Sequence, residues 1–342
     1  MSLFALLLAT APLSLPPMPE PVSNNAVAGV HVDGRNYLLS FNGLGSNKDH
    51  RDVHNRAWAL ALDGVSRWQS LAPVPGPGRL ASVAVGIGES AYVFGGYTVA
   101  ADHSEVSLAD VWRFDVASNR YTALAPMPVP VDDAVAVAYQ QRYLYLISGW
   151  HNDGNVNLVQ LYDTHTDRWQ QASPYPGTPV FGHAGALAGN SLVVCDGAKV
   201  VYHDSRRRSF AAEPACYRGE IDADNPARID WRQAAHHSGV ARYRMAAIGL
   251  PERGELWFIG GTETPYNYDG TGYDGIAARP SDRISVYELA SGRWRNHQDA
   301  VATMDHRGAL KLGQQLLILG GMGPQQRVLD TVRQIPLSAP TP

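Results

Sequence analysis

Six places along this 342-residue chain carry side chains able to hold a ligand or move a proton, and they recur roughly every 50 to 60 residues. They are Asn24 and Asn25, Arg79, Asp132 and Asp133, His183, Tyr243 and Arg244, and His306 and Arg307. Arginine grips a carboxylate through paired hydrogen bonds, while carboxylate and imidazole pass protons to and from bound oxygens. A position used only for packing would repeat one residue type. Unlike polar residues at equivalent places suggest a lining fitted to a ligand. The plain counter-reading is that Arg79 and Asp133 pair across a rim, where an exposed pair adds only about 0 to 1 kcal/mol.

A second concentration of chemistry lies at residues 263–275, ETPYNYDGTGYDG. As a calcium loop it fails, because its acids lack the EF-hand register and terminal glutamate. Zinc is no better served, since no His/Cys set stands at ligand spacing. Tyr266 and Tyr268 offer flat faces to the C–H side of a pyranose, and Glu263, Asn267, Asp269 and Asp274 can bond its hydroxyls. Two readings stand side by side: a sugar-binding lid, or an Ω-loop packed on its own tyrosines. Trp150, His151 and Asn152, at the matching point two units earlier, carry the same pair of readings. His236 and His237 face opposite sides of an extended chain and do not readily share a metal. His237 reads either as a general acid or base near Arg244 or as a turn residue.

These residues must be positioned by a repeated element. From Ala81 the chain reads as an apolar strand, a turn, a strand ending in Gly95-Gly96, a variable loop, a third strand and a short strand containing Tyr121. The same order recurs with Gly149 and Trp169, and six starts can be counted along the chain. Short strands separated by Gly, Asp and Asn turns at this period predict four-stranded propeller blades. Trp68, Tyr121, Trp169, Trp231 and Trp294 then pack between blades. The fold expected is all-β: one six-bladed kelch-type β-propeller over residues 12–342. Its last blade is closed by an N-terminal strand from Leu13 to Pro19, because that stretch repeats the end of the other units. Closure removes an open sheet edge.

Composition agrees with a soluble, turn-rich protein: 45% hydrophobic, 18% charged and 33 glycines. A net charge of −4 without a Lys/Arg run argues against a nucleic-acid partner. No stretch approaches the ~20 apolar residues of a membrane span. Residues 1–11 contain a short apolar run, Leu3 to Ala9, then Ala-Thr-Ala, which looks like the end of a secretory signal and points to a periplasmic or secreted protein. Cys195 and Cys216 either form a disulfide in such a compartment or stand as two buried thiols.

The glycine-ended strands, aromatic blade ends and six-unit count resemble the kelch propellers. Within these, NGLGS at 42–46, AYVFGGY at 91–97 and ADVWRFDVASNRYTAL at 109–124 resemble the bacterial N-acetylneuraminate epimerase (sialic acid mutarotase) group. The resemblance implies interconversion of the anomers of a sialic acid or related sugar, without a cofactor. It implies Arg244, assisted by Arg79 or Arg307, on a substrate carboxylate, and proton transfer by His183, His306 or Asp133. Tyr243, Glu263, Tyr266, Asn267, Tyr268, Asp269 and Trp150 would complete the substrate site. The alternative is a kelch propeller that binds a glycan or a protein without catalysis. A copper galactose-oxidase-like enzyme would need an extra blade and a cysteine crosslinked to tyrosine, and neither cysteine has the setting for that.

Overall fold

The computed structural model describes residues 15–62, 67–205 and 208–337; the signal-like segment at 1–11 lies outside them. Five antiparallel sheets of four strands and one of three follow one another along the chain. Their inner strands are Ala26–Val32, Val83–Ile87, Val135–Tyr139, Ala184–Ala188, Ala246–Leu250 and Leu310–Leu312. The second strands, buried between neighbouring blades, are mainly apolar, as in Glu255–Ile259, where Leu-Trp-Phe-Ile follows the glutamate and every position is buried. This is the six-bladed propeller that the repeat predicts.

Two left-handed residues end each second strand: Asn42-Gly43, Gly95-Gly96, Ser148-Gly149, Asp196-Gly197, Gly260-Gly261 and Gly320-Gly321. The second of each pair is glycine because the next chain passes too close for a side chain. At Gly96 a Cβ would lie 2.6 Å from the Leu80 carbonyl oxygen, and at Gly321 it would lie 2.3 Å from the His306 ring. The indoles of the outer strands pack as expected and also tie blades together. Trp169, Trp231 and Trp294 donate to the carbonyls of Ala125, Ser173 and Ala235, each just past the preceding blade's outer strand.

Trp68 donates to Pro16 in the same manner, which shows where the N-terminal segment sits. Pro16 stands in blade six for Ala125 in blade two. Met18 stands for Met127, since its N–H reaches Asp330 (2.6 Å) as that of Met127 reaches Ala109 (2.9 Å). Residues 15–19 therefore occupy the place that residues 124–128 hold after the outer strand of blade two, and they form no strand themselves, because Pro16, Pro17 and Pro19 lack the N–H a ladder needs. The rest of the expected Leu13–Pro19 strand lies outside the described residues. Ring closure rests on a bond repeated around the molecule: Gly321 donates to Val22 (2.8 Å) as Gly149 donates to Val180 (2.9 Å) and Gly261 to Thr303 (2.9 Å).

Cys195 and Cys216 are partners on the second and third strands of blade four and form a disulfide.

Met18 is 3% exposed, packed with Val22, Leu317, Leu319 and Trp68. Met18→Ala is expected to cost about 2 to 4 kcal/mol in urea unfolding, matching Met127→Ala in blade two. A loss below about 0.5 kcal/mol for Met18 alone would mean that this segment does not hold the seam.

Candidate functional site: a charged floor under an aromatic funnel

At the entrance to each inner strand one residue is left-handed: Asn24, Ala81, Asp133, Gly182, Arg244 and Asp305, with φ between 50° and 67°. An arginine or alanine in this conformation is strained by order 1 to 3 kcal/mol and persists only where its surroundings hold it. Here a belt of bonds around the axis does so. Asp133 donates its N–H to Ala81 O (3.1 Å), Gly182 to Asp133 O (2.9 Å), Arg244 to Gly182 O (2.7 Å) and Asn24 to Asp305 O (3.1 Å). Between blades five and six the donor is His306, to Arg244 O at 3.2 Å. Between blades one and two the Asn24 side chain accepts from Ala81 N.

The belt aims four charged side chains at the axis. Arg244 holds Asp133 with Nε and Nη2 (3.2 and 2.6 Å) and Asp305 with Nη1 (3.0 Å). Arg307 joins Asp133 through Nη1 and donates from Nε to Asn24 Oδ1 at 3.0 Å. Asn24 and Tyr266 each donate to Asp305 Oδ1 at 3.0 Å. The Arg244 guanidinium lies over the rings of Tyr243 (4.8 Å) and Tyr266 (5.1 Å). Two arginines and two aspartates balance, so charge can be buried here at bearable cost. Burial alone would raise the Asp133 carboxyl, but Arg244 and Arg307 outweigh it and hold it below the usual range. Burial would likewise lower Arg244, but Asp133, Tyr243 and Asp305 push it well above its ordinary value.

This network is a floor between two cavities that share no lining residue. Below it runs the axial channel, about 800 Å³, walled by the inner strands. Above it opens a funnel of about 470 Å³. Three small hairpins, Tyr97–Val99 with Glu105–Ser107, Trp150–His151 with Gly154–Asn155, and Ala198–Val201 with Ser209–Ala212, rise around the funnel together with the 263–280 loop. Tyr97, Trp150, Phe181, Phe210, Tyr268 and Tyr273 give it aromatic walls, while Asp133 and Arg244 show at its base.

Two carboxyl groups face this space with shifted proton affinity. Glu105 keeps contact with water, but the protein crowded around its carboxyl strips part of its solvent shell and pushes it up to about 6. Burial, then the charge of Asp133, pushes Asp132 well above the carboxylate range, against the opposing bond from Ser107 Oγ (2.6 Å). Arg208 lies over the Trp150 ring at 4.8 Å on the funnel wall.

The expected site residues fall into three groups. Asp133, Arg244, Trp150, Asn267 and Tyr268 line the funnel, with Tyr243 and Tyr266 packed beneath Arg244. His183 and His306 lie under the floor, and Arg307, itself part of the floor, faces the channel side. Glu263 pairs with Arg283 (3.5 Å) outside the funnel lining, and Asp269 spends its oxygens on Thr271 of its own loop. His151 turns away to the Pro130 carbonyl.

Arg79 requires a correction of alignment. It precedes the bridge residue Leu80 as Arg242 precedes Tyr243, so its counterpart is Arg242 and not Arg244. Both are fully buried and both donate to the first residue of a glycine pair, Arg79 to Gly95 O (3.4 Å) and Arg242 to Gly260 O (3.0 Å). Neither faces the funnel. The residue that belongs to the belt in blade six is Asp305, which comparison of the sequence repeats did not single out.

His236 and His237 also depart from expectation. The chain bends at 237–240, and both rings meet Asp196, through Nε2 at 2.6 and 2.7 Å. These three residues bring possible metal ligands within 4.8 Å. The Nδ1 of His236 accepts from the N–H groups of Ser238 (3.2 Å) and Gly239 (2.7 Å), so the ring proton sits on Nε2 and is given to Asp196. Ligation through Nε2 would force that proton onto a nitrogen already facing two donors. The cluster fits a clamp on the turn, completed by the Arg242 N–H (2.8 Å), better than a metal site.

Glu105, Tyr97, Arg208 and Phe210 line the funnel without having been picked out as its residues, while Asp132 was expected in the ligand lining and Tyr273 belongs to the tyrosine-rich 263–275 stretch. Tyr97 follows Gly95-Gly96 as Thr262 follows Gly260-Gly261, so its place after the glycine pair could have marked it, whereas Glu105 carried no such repeat signal.

Burial pushes His183 and His306 down to about 4. Between that value and the unfolded value near 6.5, the unfolded chain takes up protons that the folded chain refuses, so these groups make stability fall as pH falls through the window. The slope is about 1.4 kcal/mol per pH unit for each. His306→Gln should therefore lose less stability than the parent between pH 7 and 4.5 in urea unfolding. Equal losses would contradict a buried neutral ring.

Residues 16–210 match the KLHDC2/KLHL20/DRC7 Kelch-repeats domain family. Kelch-like protein 15 of Gallus gallus is 30% identical over 106 residues, covering 31% of this chain and 21% of that protein. Kelch domain-containing protein 3 of Homo sapiens is 24% identical over 254 residues, covering 69% and 58%. The chain thus spans between a fifth and three fifths of these relatives. The solved structure of YjhT shares the fold, with a TM-score of 0.75 at 18% identity over 95% of this chain and 97% of that one. With more than half of its length matched and six blades of this pattern, the chain belongs to the KLHDC2/KLHL20/DRC7 Kelch-repeats domain family.

Proposed function

We propose that the funnel binds a single sugar, a sialic acid or a relative, and interconverts its anomers. The observation that carries this reading is the pairing of two carboxyl groups at different proton affinities with aromatic walls in one cavity. Aromatic faces suit the C–H side of a pyranose. A carboxyl near 6 is mostly ionised at neutral pH, and one held well above the usual range keeps its proton more readily than its neighbour, which is the division of labour that acid–base catalysis needs.

In the proposed reaction Glu105 takes the proton of the anomeric hydroxyl. Asp132 gives its proton to the ring oxygen as the bond from that oxygen to the anomeric carbon breaks. The open-chain carbonyl form rotates, and closure on its other face reverses both transfers. Arg244 uses three of its five N–H groups on Asp133 and Asp305, so two remain for a substrate carboxylate, with Arg208 as the second cation. In this assignment His183, His306 and Arg307 support the floor and do not touch substrate. The reading includes an exported protein, for which the Cys195–Cys216 disulfide is support.

Saturation-transfer NMR on N-acetylneuraminate tests it. Exchange should run well above the buffer rate and rise with pH through about 6 as Glu105 ionises. Glu105→Gln and Asp132→Asn should each lower the rate by about 10² to 10⁴ while binding persists. Binding without exchange would leave a sugar-binding propeller and remove the enzyme. Neither binding nor exchange, for sialic acid or neutral hexoses, would sink the proposal.

A further inference from the structure

The hairpin of blade two reaches across the molecule. Its turn at 100–104 carries His103, left-handed at φ 63°, whose Nδ1 lies 3.0 Å from the Tyr268 hydroxyl in the loop of blade five, with the two rings stacked at 6.5 Å. Blades two and five stand on opposite sides of a six-bladed ring, so this contact bridges the funnel mouth. The hairpin's two ends are held differently. Tyr97 and Ser107 at its base are buried, and Ser107 is bonded to Asn152 of blade three by its N–H (2.9 Å) and its hydroxyl (3.2 Å). Residues 100–106 are all exposed, and the tip also meets the His50 ring of blade one at 6.0 Å.

We infer that this hairpin is a lid, hinged at Tyr97 and Ser107 and latched by His103 on Tyr268, which must open for a ligand to enter or leave. A segment with a packed base and an exposed tip held by few contacts opens at a fraction of the global unfolding cost. Glu105 rides on the moving strand and faces the cavity when the latch is made. Closing the lid therefore brings that carboxylate to the ligand, and this part of the inference rests on the sugar reading. His103 and Tyr268 are positioning residues here. The Tyr268 ring lines the funnel, but its hydroxyl is committed to the latch.

Hydrogen exchange and stopped-flow binding on the full chain test the lid. Tyr268→Phe keeps the ring and removes the hydroxyl; His103→Ala removes the other half. Each should speed exchange of the amides in residues 98–106 by roughly fivefold, as expected for losing one hydrogen bond, and leave the inner strands unchanged. With N-acetylneuraminate as the probe, both the on-rate and the off-rate should rise in Tyr268→Phe, with Kd shifting less than either. Unchanged exchange in both variants, or an effect on the off-rate alone, would overturn the lid. If the parent protein does not bind this sugar, the functional reading fails and hydrogen exchange alone decides the latch.

Discussion

The structure depends on a belt of six left-handed residues around the propeller axis and on the balanced quartet of charges it aims inward. Each belt residue is bonded to the next blade, and the bond from Asn24 to Asp305 brings the last blade back to the first. Strain at Arg244, Asp133 and Ala81 is tolerated because a neighbour on each side holds the backbone in place. Asp133 and Asp305 then lie where Arg244 and Arg307 can reach both. No member of the quartet can be removed alone without leaving a buried charge uncompensated.

That balance gives the funnel its chemistry. Because Asp133 is committed to two arginines its carboxyl is held low, and its negative charge adds to burial in raising the proton affinity of Asp132. Arg244 presents its remaining donors in one orientation, locked between two tyrosine rings. The floor also sorts the histidines. His183 donates to the Ile147 carbonyl (2.8 Å) between blades, and His306 packs against Gly321. Both support the wall of the ring and stay neutral.

The fold was legible because its signals are periodic. Glycine at the close approach of two chains and an apolar second strand recur in every unit, and an aromatic ends five of the six, so one misread copy changes little. The site was legible only in part. Arg244 and Asp133 stood at repeat-equivalent places and did converge, and Tyr268 of the 263–275 loop joins them in the funnel. Arg79 looked like one of them and was two residues out of register, an offset that turns its side chain into the blade. Asp305 was hidden by the more conspicuous His306 and Arg307 beside it. Glu105 lies in a hairpin whose path over the funnel depends on contacts with blades three and five, and a linear pattern does not contain that information. The His236–His237 pair misled for a similar reason: an extended chain would have separated the rings, but the turn at 237–240 folds both onto Asp196.

The most direct test is a double-mutant cycle in urea between Asp133→Asn and Arg307→Met, which meet at the axis but come from blades three and six. Each change alone should cost about 3 to 5 kcal/mol, as expected for stranding a buried charge. If the axial charges form one interdependent floor, the double variant should lose less than the sum of the two by at least about 1.5 kcal/mol. Additivity within about 0.5 kcal/mol would mean that the two side chains act independently, and the floor would not be the constraint on which the funnel rests.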